Sequence, residues 1–181
     1  MARLNIPTVN ASPEKSQPLL AAVEKQLGVV PNLFRLVGNS PAALEGQLGL
    51  GAALGRTLDV KTRERIALAV AQANGCDYCL SAHTYLGLNL AKIDQAEIAL
   101  NRAGHSSDAR ADAAVQFAAR VVATRGKVND ADLSAVRLAG FSDAQIVDIV
   151  LNVTLNVFTN YMNNVAETDI DFPVVLASQA A

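Results

Sequence analysis

The amino-acid sequence predicts an all-α fold, a single domain of about eight helices over residues 1–181. Three observations carry this prediction. The 181 residues are 51% hydrophobic, only 4% aromatic and rich in alanine, a composition that favours helices. Helix-start residues followed by proline or by an acid recur along the chain. No segment shows the alternation of apolar and polar residues that is typical of a strand.

The predicted helices of the first half begin at capping residues or prolines and end at glycines. Ser12-Pro13-Glu14 combines an N-cap hydroxyl, a first-turn proline and an acid near the positive end of the helix dipole. Gly28, Gly38, Gly75 and Gly87 provide the ends. These signals predict helices from Ser12 to about Gln26, Pro31 to Gly38, Ser40 to about Leu54, Lys61 to Ala73 after the cap Asp59, and Cys76 to Leu86.

The second half repeats the pattern with acidic and amide caps. Asn129 can cap a helix, and Ser142 to Gln145 form a capping box, in which two side chains satisfy each other's backbone donors. The segment from Asp169 to Ala181 carries no helical pattern, so we expect an irregular tail. The predicted helices run from Asp94 to Arg102, Asp108 to Thr124, Asn129 to Ala139, and Ser142 to Glu167.

Charge and hydropathy exclude several classes of function. The net charge is −2 and no run of Lys or Arg occurs, which argues against a nucleic-acid partner. Met1 to Ala11 lacks the basic region and apolar run of a signal peptide. The uncharged stretch from Ile149 to Ala166 is interrupted by Asn and Thr, so we expect no membrane span there. The sequence predicts a soluble, cytoplasmic protein.

Two cysteines and a histidine carry the chemical signal. Cys76 and Cys79 stand three residues apart, and His83 follows Cys79 by four, so all three side chains share one helix face. A thiol beside an imidazole favours a thiolate nucleophile near neutral pH. A second thiol one turn away can attack the oxidised first thiol and form a disulfide. This small ring adds little stability, which suits turnover better than scaffolding.

Glu64 lies on the preceding helix. If Asn74-Gly75 reverses the chain, the two helices pack antiparallel, and Glu64 stands about ten residues before the turn, roughly 15 Å along the helix. His83 stands a similar distance after the turn. We therefore expect the carboxylate and the imidazole to share a proton, directly or through a water.

Two other interpretations of these residues remain open. Cys76, Cys79, His83 and Glu64 are ligands that zinc accepts, although structural zinc sites prefer more thiolates. In the second interpretation, the two cysteines are buried residues that take part in no chemistry. A thioredoxin-like site does not fit, because that motif needs a βαβ context. The alternative to an enzyme is a non-catalytic helical oligomer whose cysteine pair binds zinc or senses redox state.

The spacing Glu-x₁₁-Cys-x₂-Cys-x₃-His on a helical, alanine-rich chain resembles the AhpD-like branch of the carboxymuconolactone decarboxylase family. The segments 28–46 and 159–173 resemble the peroxidase-related subgroup of that family. The resemblance implies a thiol-dependent alkylhydroperoxidase, built as an oligomer of helical subunits, that needs no metal or organic cofactor. It implies that Cys79 attacks the peroxide, Cys76 resolves the product, and Glu64 and His83 relay the proton. The implied partners are a peroxide, an external dithiol reductant and further copies of the chain.

Two features depart from simple expectation. Tyr78 stands between the cysteines where the best-known AhpD proteins carry a histidine, and a phenol with a pKa near 10 is a poor base at neutral pH. The helix dipole by itself favours Cys76 as the more acidic thiol, because it is nearest the helix N-terminus. The resemblance favours Cys79, which has His83 on its own helix face.

Two further patterns predict packing. The glycine series Gly46, Gly49, Gly51 and Gly55 follows no strand, so it predicts close helix–helix packing and not a dinucleotide site. Asn152, Asn156 and Asn160 form a row of amides beside apolar valines. We expect this row to be either a polar seam in a subunit interface or a solvent-exposed face.

Overall fold

The computed structural model describes residues 2–179, and within this range the chain folds into helices with no strand. The predicted all-α class is confirmed. Two 3₁₀ turns, Val9–Ala11 and Glu14–Ser16, precede the α-helices. The helices of this range are α1 Gln17–Leu27, α2 Asn32–Val37, α3 Pro41–Leu54, α4 Val60–Ala73, α5 Asp77–Asn89, α6 Gln95–Arg102, α7 Ala109–Thr124, α8 Asp130–Leu138 and α9 Asp143–Ala166.

Most helices begin at the predicted residue, because a side-chain oxygen there accepts the backbone N–H three residues later. Both Asn129 and Ser142 form full capping boxes, with the side chains of Asp132 and Gln145 accepting the N-cap N–H in return. The caps observed at predicted starts are Ser40, Asp59, Asp94, Asp108, Asn129 and Ser142.

The predicted start of the first helix is wrong. The Ser12 hydroxyl donates backward to the Thr8 carbonyl at 3.0 Å, so it caps no helix. A 3₁₀ turn follows, and α1 begins only at Gln17. The Ser16 hydroxyl donates to the Gly38 carbonyl at 2.7 Å, which ties this region to the end of α2. The residue that precedes α1 thus makes a contact 22 residues away instead of capping the helix.

The predicted end of α5 at Gly87 is also wrong, because the helix continues to Asn89. A Cβ atom at Gly87 would lie 2.8 Å from Cδ1 of Ile98, which is itself buried. The glycine therefore allows α5 and α6 to approach closely, and it does not terminate the helix.

Helix α4 is the centre of the molecule. It packs against α5, α6, α7 and α9, and its residues Ile66, Leu68, Val70 and Ala71 are fully buried. One apolar cluster joins α4 to α7, α8 and α9, and a second joins α4 to α5, α6 and the C-terminal tail. Because α4 contributes to both clusters, its polar residues are held at defined positions in the interior.

The predicted irregular tail is confirmed for residues 169–179, and backbone donors tie it to α5. The Val175 N–H donates to the Ser81 hydroxyl at 2.9 Å, and the Ala177 N–H donates to the Asp77 carboxylate at 2.7 Å. Met1, Ala180 and Ala181, the outermost residues of the predicted terminal segments, lie outside the described residues.

Helices α3 and α9 each turn part of their surface outward. Gly46, Gly49 and Gly51 have open space where a Cβ would stand, so the predicted close packing at these glycines is wrong within the chain.

No single helix among residues 2–179 is long and apolar enough to cross a membrane. The bent pair Asp130–Leu138 and Asp143–Ala166 is long and apolar enough when its two helices are taken together, by length and composition alone.

A buried carboxylate, Glu97, joins α6 to α4 and to the loop before α7. Its oxygens accept from Arg65 at 2.9 Å, from Asn101 at 2.9 Å, and from the hydroxyls of Ser106 and Ser107. Burial raises the pKa of Glu97, but these hydrogen bonds outweigh it and hold the pKa at about 2. The carboxylate stays charged in the interior because nearly every lone pair has a donor.

We expect Glu97→Gln to change how stability depends on pH. A carboxyl whose folded pKa is lowered from 4.5 to about 2 stabilises the fold above pH 4.5 and loses that contribution as pH falls toward 2. The loss is about 3 kcal/mol in the free energy of unfolding. Urea unfolding at a series of pH values should show this acid-dependent loss in the parent chain and not in Glu97→Gln, which should also be less stable at neutral pH.

The exposed Glu45 on α3 offers the matched control, because Glu45→Gln removes a carboxylate without touching this cluster. An identical pH profile for the parent chain and Glu97→Gln would contradict a stabilising role for the Glu97 charge.

Candidate active site

The turn between α4 and α5 places the two cysteines. Gly75 adopts a left-handed conformation with φ of +60°, which reverses the chain directly after α4. The Cys76 N–H then donates to the Ala71 carbonyl at 3.0 Å, so α5 begins against the end of α4. The predicted helix reversal at Asn74-Gly75 is confirmed, and Cys76 becomes the N-cap of α5.

Cys76 and Cys79 face each other within the first turn of α5. The Cys76 sulfur accepts the backbone N–H of Cys79 at 3.3 Å, which replaces the oxygen of an ordinary N-cap. Both residues are free thiols, and their exposed fractions are 0% and 2%. The pair is therefore shielded from water, and its ionisation depends on the few polar groups around it.

Glu64 and His83 meet across α4 and α5, as the spacing predicts. The Nδ1 atom of His83 lies 2.8 Å from Oε2 of Glu64. The two side chains keep 21% and 15% of their surface exposed, so water reaches this end of the site. Burial lowers the pKa of His83, but the Glu64 carboxylate raises it more, and the pKa lies above its ordinary value.

The asparagine row of α9 lies in the interior, so both expectations for it are wrong. Asn152, Asn156 and Asn160 are at most 5% exposed and face α4 and α5. Some apolar residues of α9, such as Val147 at 66% exposed, turn outward, whereas Val153 at 3% exposed is buried. Asn152 donates to the backbone of α4 and Asn156 donates to the Asn152 carbonyl, which explains why the interior accepts these two amides.

Asn163, which the sequence analysis did not single out, touches the thiol pair. Its Nδ2 atom donates to the Cys79 sulfur at 3.3 Å, and the residue is only 2% exposed. The available signal was the spacing, because Asn163 continues the amide row one helical turn beyond Asn160. The spacing does not show whether the row faces the interior or the solvent, because that depends on how α9 packs.

Four groups determine the ionisation of Cys79. A hydrogen bond between the two thiol groups, in which Cys76 is the donor, lowers the pKa of Cys79 most, and burial opposes this. The charge of His83 and the amides of Asn163 and Asn160 lower it further, so the pKa of Cys79 is about 7. The same hydrogen bond and burial raise the pKa of Cys76. The arrangement favours a Cys79 thiolate beside a protonated Cys76, opposite to the preference of the helix dipole alone.

Tyr78 is not placed to act as an acid or a base. Its hydroxyl accepts the Leu33 N–H at 3.1 Å, and its ring packs edge-on against Phe172 with centroids 5.9 Å apart. Burial raises the pKa of the phenol. Tyr78 therefore joins α5 to α2 and to the tail, and it is a packing residue at the position where a histidine would stand in the best-known AhpD proteins.

A shallow groove of about 320 Å³ lies beside the thiols, between the start of α5 and the end of α9. Tyr78 and Asn163, which flank Cys79, both line it. In residues 2–179 no three His, Cys, Asp or Glu side chains are grouped to hold a metal ion. The four-residue ligand set that a zinc site would use is thus not assembled, since Glu64 pairs with His83 instead.

The fold and the paired thiols place this chain among AhpD-like helical proteins. A model of the carboxymuconolactone decarboxylase family matches residues 41–124, which run from the start of α3 to the end of α7. The alkylhydroperoxidase AhpD core structure of an uncharacterized peroxidase-related protein from Ralstonia eutropha JMP134 is similar at TM-score 0.82 and 25% identity, over 94% of this chain and 92% of that one. The fold of the chain is therefore AhpD-like, and its segment from α3 to α7 matches the sequence pattern of the carboxymuconolactone decarboxylase family.

Two further comparisons define the limits of this likeness. The debrominase Bmp8, solved with 2,3,4-tribromopyrrole, has a TM-score of 0.77 at 17% identity over 93% of this chain and 91% of that one, which shows a shared fold. An uncharacterized protein of Haemophilus influenzae is 61% identical over 36 residues, a match that spans 20% of this chain and 32% of that relative. The same fold therefore carries more than one named activity.

Proposed function

We propose that the chain reduces hydroperoxides through a redox-active pair, with Cys79 as the attacking thiol and Cys76 as the resolving thiol. The observation that carries the proposal is the environment of the Cys79 sulfur. It receives a hydrogen bond from Asn163 and lies beside Cys76 and His83, and its pKa of about 7 makes a large thiolate fraction available at neutral pH. The peroxidase-related name of the Ralstonia structure agrees with this proposal.

In the first step the Cys79 thiolate attacks the terminal oxygen of a hydroperoxide. A sulfur–oxygen bond forms, the oxygen–oxygen bond breaks, and the departing alkoxide takes a proton to become an alcohol. His83, paired with Glu64 at 2.8 Å, supplies that proton and recovers it from water at the exposed edge of the pair. Cys79 is left as a sulfenic acid, oxidised by two electrons.

In the second step Cys76 attacks the sulfenic sulfur. A disulfide forms between the two residues, and the sulfenic hydroxyl leaves as water with the Cys76 proton. An external dithiol then reduces the disulfide, is itself oxidised to a disulfide, and returns both cysteines to thiols. We place this cycle in the cytoplasm, because a pair that must be re-reduced at each turnover needs a reducing compartment.

Single-turnover measurements on the two serine variants test the assignment of roles. Cys76→Ser should consume about one equivalent of peroxide and stop as a sulfenic acid on Cys79, because no thiol resolves it. Cys79→Ser should consume little. Dimedone trapping with mass spectrometry locates the sulfenic acid.

Two outcomes would contradict the proposal. A sulfenic acid on Cys76 in the Cys79→Ser variant would reverse the two roles. If no variant traps a sulfenic acid and the parent chain never forms the Cys76–Cys79 disulfide, the chain is not a peroxidase. One zinc per chain with no titratable thiols would then favour the non-catalytic, metal-binding alternative.

We expect Glu64→Gln to affect chemistry more than folding. The substitution keeps the shape of the side chain and removes the charge that holds the His83 proton. Peroxide consumption should fall at least about tenfold, with little change in the melting temperature. Glu24→Gln, on an exposed position of α1, is the matched control. Unchanged turnover with a lower melting temperature would make Glu64 a structural ion-pair partner instead.

We also propose that the chain forms a homo-oligomer. The outer face of α9 exposes a stripe of large apolar side chains that a monomer would leave in water. The stripe consists of Val147, Val150, Phe158, Tyr161 and Val165. Sedimentation should therefore give a mass that is a multiple of 19.0 kDa, and Tyr161→Lys should reduce it. A 19.0 kDa particle at micromolar concentration would contradict the oligomer.

A further inference from the structure

We propose that Asn160 and Asn163 are positioning residues that hold the Cys79 sulfur as a thiolate by presenting two side-chain amide groups to it from α9. This inference rests on the proposed function, since it concerns the sulfur that attacks the peroxide. It concerns a different part of the chain, however, because α9 lies outside the segment 41–124 that matches the family model.

Asn163 makes the direct contact. Its Nδ2 atom donates to the Cys79 sulfur at 3.3 Å, across 84 residues of sequence. With only 2% of its surface exposed, the amide does not exchange this contact for water. A neutral thiol is a weak acceptor, whereas a thiolate accepts a charge-assisted hydrogen bond, so the contact favours the ionised form.

Asn160 lies near the same sulfur, and a third amide holds its side chain. The Nδ2 atom of Asn74 donates to Oδ1 of Asn160 at 2.9 Å, which fixes the plane of the Asn160 side chain. Its own Nδ2 atom is fully buried and makes no ordinary hydrogen bond to another described residue. A buried donor without an acceptor is destabilising, but this one adjoins Cys79 and lowers its pKa. The thiolate is the acceptor that the amide otherwise lacks.

The rest of the amide row does a different job, which provides an internal control. Asn152 donates to the Arg63 carbonyl at 3.4 Å, and Asn156 donates to the Asn152 carbonyl at 2.9 Å. Among the described residues, these two amides donate to backbone carbonyls and form no hydrogen bond with the cysteines. The row thus divides into a structural half near α4 and a half that faces the reactive sulfur.

Amides suit this position because they carry dipoles and no charge. Cys79 is almost fully buried, so a fixed positive charge beside it would itself need a partner when the thiol is neutral. Two oriented N–H groups stabilise the anion when it forms, and they place no uncompensated charge in the interior when the thiol is neutral. His83 can then serve the leaving group, because the thiolate does not depend on its proton alone.

The test measures the ionisation of Cys79 without any peroxide. The ultraviolet absorbance of the thiolate is followed against pH, and the Cys79→Ser profile is subtracted. The parent chain should show a midpoint at about pH 7. Asn163→Leu, which keeps the volume and removes the donor, should raise the midpoint by about one pH unit, since hydrogen bonds to charged groups have that strength. Asn160→Leu should raise it by less.

Asn156→Leu is the matched control, because Asn156 has the same side chain, the same helix and the same burial but no contact with Cys79. Its midpoint should stay at the parent value even if the variant unfolds at a lower temperature. Peroxide consumption by Asn163→Leu should be reduced near neutral pH and recover as the pH rises above the new midpoint, which a merely structural defect would not do.

An unchanged midpoint in Asn163→Leu overturns the inference. If that variant does not fold, Asn163→Ala decides, because it removes the donor without adding volume or charge. Its midpoint should rise, and an unchanged value overturns the inference equally. Should the midpoints shift as expected while the parent chain consumes no peroxide, the amides hold the thiolate and the peroxidase proposal alone has failed.

Discussion

The packing of α5 against α4 is the constraint on which the site depends. The left-handed Gly75 turn folds α5 back, so that Cys76 caps it beside Ala71 and His83 reaches Glu64. Because α4 is buried by α5, α6, α7 and α9 together, a shift of this hairpin would disturb both apolar clusters. The reactive groups are thus held in place by the core and not by a flexible loop.

The hydrogen bonding of buried polar groups is a second feature of the molecule. Glu97 stays charged in the interior because Arg65, Asn101 and two serines surround it with donors. Cys79 follows the same rule, with the Cys76 thiol, the charge of His83 and the amide of Asn163 as its partners. In both cases the pKa of the buried group is lowered by hydrogen bonds that outweigh desolvation.

The fold alone does not determine the reaction. A debrominase shares the helical arrangement at 17% identity, so the fold by itself does not specify one reaction. Here the histidine found between the cysteines of the best-known AhpD proteins is replaced by Tyr78, which packs against Phe172. The pKa of Cys79 depends instead on Cys76, His83 and the amides of α9.

The amino-acid sequence predicted the helices and the local half of the site. Caps such as Asp59 and Ser142 act within one helical turn, so a few residues are enough to predict them. Glu64 and His83 are separated by one short chain reversal, so their pairing could be predicted in the same way. The features that depend on distant partners are visible only in the folded chain. Gly87 continues a helix because α6 packs on it, and the asparagines of α9 face inward because the opposite face of α9, with Val147 and Tyr161, is the exposed one. Local patterns specify which residues share a helix face, whereas the direction of that face depends on packing between segments far apart in sequence.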